Sequence, residues 1–135
     1  MSFTGLNRLG ILGVSKDKIG RYVKLRATLS DGTLDFRCEL DALTYKYLRE
    51  SVSKKYFDSL ASGYHYDLIL IYQQNVNENH DLPYKGLIRC TQGNRSIQVE
   101  FPCSERFAGN IGWFTREVKT IKDIQHLEWT NFSFD

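Results

Sequence analysis

Between Tyr22 and Asp41 the chain spells out an antiparallel hairpin, and no other stretch restricts the fold as tightly. Asp31-Gly32 is a dipeptide that accepts positive φ at both centres of a type I′ turn. A turn there sets Leu29 against Leu34, Ala27 against Phe36, Leu25 against Cys38 and Val23 against Leu40 on one surface. The opposite surface then carries Thr28 with Asp35, Arg26 with Arg37, Lys24 with Glu39 and Tyr22 with Asp41. One surface is apolar and the other polar, so the hairpin belongs to an antiparallel sheet with one buried and one solvated side. Arg26 and Arg37 face each other on the solvated side, where like charges destabilise unless something neutralises them.

The remaining pattern extends that sheet. A short apolar strand, Asn7 to Val14, precedes the hairpin and is separated from it by the charged turn Ser15-Lys16-Asp17-Lys18. Asp41 is placed to cap a helix whose apolar positions Leu43, Tyr47, Leu48, Val52, Tyr56 and Leu60 recur at three and four, with Gly63 as its stop. Tyr64 to Tyr72 is apolar on both faces and reads as a central strand. Gln73 to Pro83 has little to bury and reads as a long exposed loop. A second hairpin turning at Gly93-Asn94 pairs Cys90 with Ile97, Ile88 with Val99 and Gly86 with Phe101, and places Arg89 opposite Gln98 on its polar face. Phe107 to Val118, with Gly109, Gly112, Trp113 and Phe114, fits a bent strand or loop; Val118 to Ile124 fits a short helix or turn. Leu127 to Phe134 is rich in strand formers and is expected to close the sheet. No internal repeat, low-complexity tract or linker appears anywhere in the sequence. The expected fold is mainly β, a β-rich α+β arrangement: a small antiparallel OB-like barrel or strongly curved sheet with one amphipathic helix between the third and fourth strands.

Length and composition bound the rest. A chain of 135 residues, 41% hydrophobic and 25% charged with two prolines, is expected to form one domain spanning residues 1–135 around a single core. The three cysteines, Cys38, Cys90 and Cys103, are odd in number and widely spaced, which favours reduced thiols and a cytoplasmic setting over a disulfide framework. Gly10 to Val14 is too short and glycine-rich for a signal-peptide core, and no run reaches membrane-spanning length.

No enzyme constellation or cofactor motif emerges. His65, His80 and His126 are scattered singly, without metal-ligand spacing, and no glycine-rich phosphate loop is present. Cys103 follows a proline at a strand end with nothing nearby in sequence to activate it. The formal net charge is +2, but it is unevenly spread: Met1 to Ser30 is +5, with Arg8, Lys16, Lys18, Arg21, Lys24 and Arg26 against Asp17. A phosphate would relieve the Arg26/Arg37 opposition. The element order is that of folds whose second and third strands hold oligonucleotides by phosphate neutralisation and base stacking. The sequence therefore suggests a non-enzymatic binder of single-stranded DNA or RNA, with Lys24, Arg26 and Arg37 on the backbone, Tyr22 as a stacking ring, and Lys16, Lys18 and Lys46 extending the groove. The alternative is a protein-interaction module, an inhibitor or adaptor, docking through the loop bearing Asn75, Asn77 and Asn79 and through Trp113 and Phe114. An unpaired edge strand could also support a homodimer.

Overall fold

The structure, a computed structural model, describes residues 3–18, 20–53, 64–73, 81–126 and 132–133. Its elements are β1 (Phe3–Lys16), β2 (Arg21–Leu29), β3 (Gly32–Glu39), α1 (Ala42–Ser53), β4 (His65–Gln73), β5 (Tyr84–Gln92), β6 (Arg95–Cys103), α2 (Glu105–Glu117), a 3₁₀ turn (Ile121–His126) and the short β7 (Phe132–Ser133). The strands form one antiparallel sheet in the order β6-β5-β4-β1-β2-β3-β7. The sheet curls into a half-barrel, the curved alternative of the expected class. The tail strand extends the sheet by pairing with β3 through Arg37↔Ser133 and Cys38↔Phe132, and β6 forms the opposite end. Both helices pack on the apolar side, so the core lies inside the curl and includes Leu9, Val23, Leu25, Phe36, Leu48, Ile88, Phe101, Phe107, Ile111 and Phe114.

Two corrections concern local geometry. The first hairpin turns on Ser30-Asp31, one residue earlier than expected, so that Leu29 pairs with Gly32, Arg26 with Asp35, Lys24 with Arg37 and Tyr22 with Glu39. The faces survive because the pairing shifts by an even number of residues. Among the described residues no non-glycine residue has positive φ, and Gly32 takes φ +145° just after the turn. A tertiary clamp accounts for this. Ile121 N donates to Asp31 Oδ1 at 2.9 Å, Ser30 N and Oγ both donate to Lys119 O at 3.3 Å, and a Cβ on Gly32 would meet Ile121 Cδ1 at 3.0 Å. The second correction is Glu105–Glu117, a helix rather than a bent strand or loop. Ser104 caps it by accepting from Phe107 N, and Phe107, Ile111 and Phe114 are buried along one side.

The second hairpin has the expected register, from Gly86↔Phe101 to Gln92↔Arg95, with Gly93 at φ +61° in the first central position of the turn. Asp41 caps α1 as anticipated, accepting from Thr44 N at 3.0 Å. Leu48 is the buried apolar residue of the described helix, Thr44 and Ser51 share that side, and Leu43 is 40% exposed. Tyr56, Leu60 and Gly63 lie outside the described residues.

The elements also repeat, although the sequence gives little sign of it. A three-strand meander followed by a helix occurs twice, as β1-β2-β3-α1 and β4-β5-β6-α2, and the halves join through antiparallel β1 and β4. From the second strand onward the copies run in step: Arg21–Leu29 recurs as Tyr84–Gln92, Gly32 and Arg95 each open the third strand, and Asp41 and Ser104 each cap the helix that follows. The buried Thr44, Leu48 and Ser51 of α1 correspond to Phe107, Ile111 and Phe114 of α2. The helices exchange seats, α1 packing mainly on β6 while Phe114 of α2 stacks on Phe36 of β3 at 4.2 Å between ring centroids. The two caps bond each other. Ser104 Oγ donates to Asp41 Oδ1 at 2.5 Å, and Ser104 N donates to Thr44 Oγ1 at 3.0 Å.

Candidate nucleic-acid interface

Side chains alternate across a strand, so burying Val23, Leu25 and Ala27 of β2 sends Tyr22, Lys24, Arg26 and Thr28 to the outer face. On β3 the same alternation turns Thr33, Asp35, Arg37 and Glu39 outward. The two-residue change of register decides how these charges meet. Arg26 faces Asp35 and forms a two-pronged ion pair with it, Nε to Oδ1 at 2.7 Å and Nη2 to Oδ2 at 2.9 Å. That hydrogen bond holds the Asp35 carboxyl below its usual range, outweighing the opposing effect of burial with help from the charges of Arg26 and Lys24. The Arg26/Arg37 opposition expected from sequence does not form.

Like charges meet one step along, where Lys24 pairs with Arg37. The Arg37 guanidinium lies over the Tyr22 ring, 4.6 Å from its centroid, which is cation–π geometry. Lys16 ends β1 and Lys18 follows it, both exposed, so they flank this end of the face. Glu39 is engaged by Arg106 Nη2 at 3.2 Å. Lys46 sits elsewhere. It lies on α1, which packs against the inner side of the sheet, and its ammonium is 5.3 Å from the Tyr47 ring centroid. The sequence could not place it, because the helix direction depends on the seat that β6 provides.

A second feature of this face was not anticipated. Gly10 lies between Arg26 of β2 and Asp67 of β4 in register, and it leaves a gap in the outer layer of side chains. A groove of about 450 Å³ opens there, lined by Arg8, Leu12, Arg26, Thr28, Thr33, Tyr64, His65 and Asp67 among others. Leu12 is 44% exposed at the irregularity between Ile11 and Gly13. Arg8 Nε stands 3.9 Å from Asp67 Oδ1. The available signal was Gly10 inside a strand, which marks a bulge or a close approach.

The alternative docking surface fares differently. Phe114 is 2% exposed and belongs to the core, while Trp113 is half-buried and stacks on Phe132 at 5.7 Å. Asn75, Asn77 and Asn79 lie outside the described residues. Cys103 is buried, and burial with the nearby Asp41 charge pushes its thiol up to about 12. Burial also raises the Cys38 and Cys90 thiols. Among the described residues no three His, Cys, Asp or Glu side chains come together as metal ligands, and no helix is long and apolar enough to cross a membrane.

Compared with known protein families, curated proteins and solved structures, the chain matches none.

Proposed function

We propose that the protein is a single-stranded nucleic-acid binding module that uses the outer face of the β2–β3 hairpin. The observation that carries this reading is the Arg37 guanidinium stacked on Tyr22 directly across from Lys24. Two cations on adjacent strands offer a track for a phosphate backbone, and the ring beside them offers a stacking surface for a base. Lys16 and Lys18 extend the track at the sheet end. Arg26 takes a different part, because Asp35 neutralises it and fixes its plane.

The test is fluorescence anisotropy with labelled single-stranded DNA, single-stranded RNA and duplex DNA over a range of salt. Binding to single strands should weaken with salt, and replacing Lys24 and Arg37 together by Ala should flatten the log–log salt slope by about 0.7 for each phosphate that is no longer neutralised. Tyr22→Ala should weaken binding with little change in that slope. Absence of binding at low salt, or a Lys24/Arg37 variant with the wild-type slope, would defeat the proposal.

A further inference from the structure

We infer that the groove over Gly10 is a base-reading pocket selective for guanine. The inference rests on the single-strand reading and names what that surface recognises. Along one level of the outer face, Asp35, Arg26, Gly10, Asp67 and Arg89 stand opposite one another in successive strands. At about 4.8 Å between neighbouring strands, the backbones bearing Arg26 and Asp67 are about 10 Å apart, and only the hydrogen of Gly10 lies between them. That leaves room for a flat ring. The groove volume of about 450 Å³ suits a small planar ligand.

The walls specify the chemistry. Arg26 is held by both prongs of its pair with Asp35, so its guanidinium is a fixed plane with its charge already balanced. Such a plane serves base stacking better than phosphate capture. Exposed Leu12 lines the same groove and adds an apolar wall. An ionised carboxylate accepts hydrogen bonds only, through two oxygens side by side. Guanine presents two adjacent donors, N1–H and the N2 amino group, and matches both. Adenine and cytosine offer one amino donor next to a ring acceptor, and uracil and thymine offer one ring N–H between two carbonyls. Arg8 Nε stands 3.9 Å from Asp67 Oδ1, beyond hydrogen-bond distance, so the carboxylate keeps its acceptor sites for a base edge, and as an acid it is a poorer seat for a phosphate than Lys24 and Arg37. Tyr22 is four residues from Arg26 on the same side of β2, about 13 Å away, so one oligonucleotide reaches both.

The shared chemistry is the guanine base, whether carried by a strand or by a free nucleotide. Binding is measured by anisotropy with a labelled ten-residue uridine oligomer, with the same oligomer bearing one central guanosine, and by calorimetry with guanosine monophosphate. The variants are Gly10→Ala and Asp67→Asn. A Cβ at Gly10 would sit 3.8 Å from both Arg26 O and Asp67 Oδ1, an ordinary contact that fills the groove floor without forcing the strands apart. An unchanged melting temperature verifies that. The guanosine-bearing oligomer should bind about tenfold more tightly than plain oligouridine. Both variants should erase that preference and leave oligouridine binding intact. Equal affinity for the two oligomers, or a preference that survives both variants, overturns the pocket and leaves the single-strand reading standing. Guanosine monophosphate binding that Gly10→Ala abolishes, with neither oligomer bound, supports the pocket for a free nucleotide and defeats the single-strand reading. No binding of any probe overturns both.

Discussion

Asp41 does two jobs with one carboxylate, accepting from Thr44 N to start α1 and from Ser104 Oγ, the cap of α2. A cap replaced by alanine costs about 1 kcal/mol, up to about 2 kcal/mol, and Asp41→Ala and Ser104→Ala should each fall in that range in urea denaturation. Because the two residues share a bond, the double variant should cost less than the sum of the singles by roughly 1 kcal/mol. Burial pushes the Asp41 carboxyl up, but the bonds from Ser104 and Thr44 outweigh it, and the net value lies below the usual range. Glu100 is lowered as well, chiefly by the Tyr72 hydroxyl donating at 2.8 Å, with Lys85 assisting. A carboxyl whose folded value is depressed contributes its full stabilisation above its unfolded value, near 4, and loses it as pH falls through the folded one. The urea midpoint should therefore be level from about pH 7 to 5 and fall below about pH 4, less steeply in Asp41→Asn.

At the level of elements, α2 shows why part of the chain was legible and part was not. Phe107, Ile111, Phe114 and Val118 are all buried and recur at helical spacing after a serine cap, yet Gly109, Gly112 and Trp113 among them blur the pattern into that of a bent strand. Phe114→Ala should cost about 3–5 kcal/mol by opening a cavity against Phe36. A loss under about 1 kcal/mol in denaturant would place the ring outside the core. The second hairpin was readable to the residue because Gly93 supplies a positive φ where the turn needs it. The first was not, since Lys119 O, accepting from Ser30, and Ile121 N, donating to Asp31, fix its turn from about ninety residues away, a contact that no local rule contains. That single step changed the candidate site, exchanging an Arg–Arg opposition for an Arg26–Asp35 pair and a Lys24–Arg37 one.

For the whole molecule, the doubled plan was nearly hidden because it is carried by burial and hydrogen bonding more than by identity. Arg26 and Arg89, Thr28 and Thr91, and Leu25 and Ile88 correspond across the halves, as do Leu48 and Ile111 of the helices, but Thr44 stands where the other helix has Phe107 and Ser51 where it has Phe114. Since α1 is seated on β6 and Phe114 on Phe36, neither half completes its core alone. Unfolding in urea should therefore be one transition, with tryptophan fluorescence and far-UV circular dichroism changing at the same midpoint. Separate midpoints would mean that the halves are stable independently. The exchange of seats also sets a timetable at the ribosome. When Ser53 has been made, the strand on which α1 mainly packs does not yet exist, and about fifty more residues must be added before Cys103 ends β6. At about 5–20 residues per second that is a delay of roughly 3–10 s. Through that interval the first half of the nascent chain carries an uncovered apolar surface, which makes it a client for whatever holds unfinished chains apart until the second half arrives to cover it.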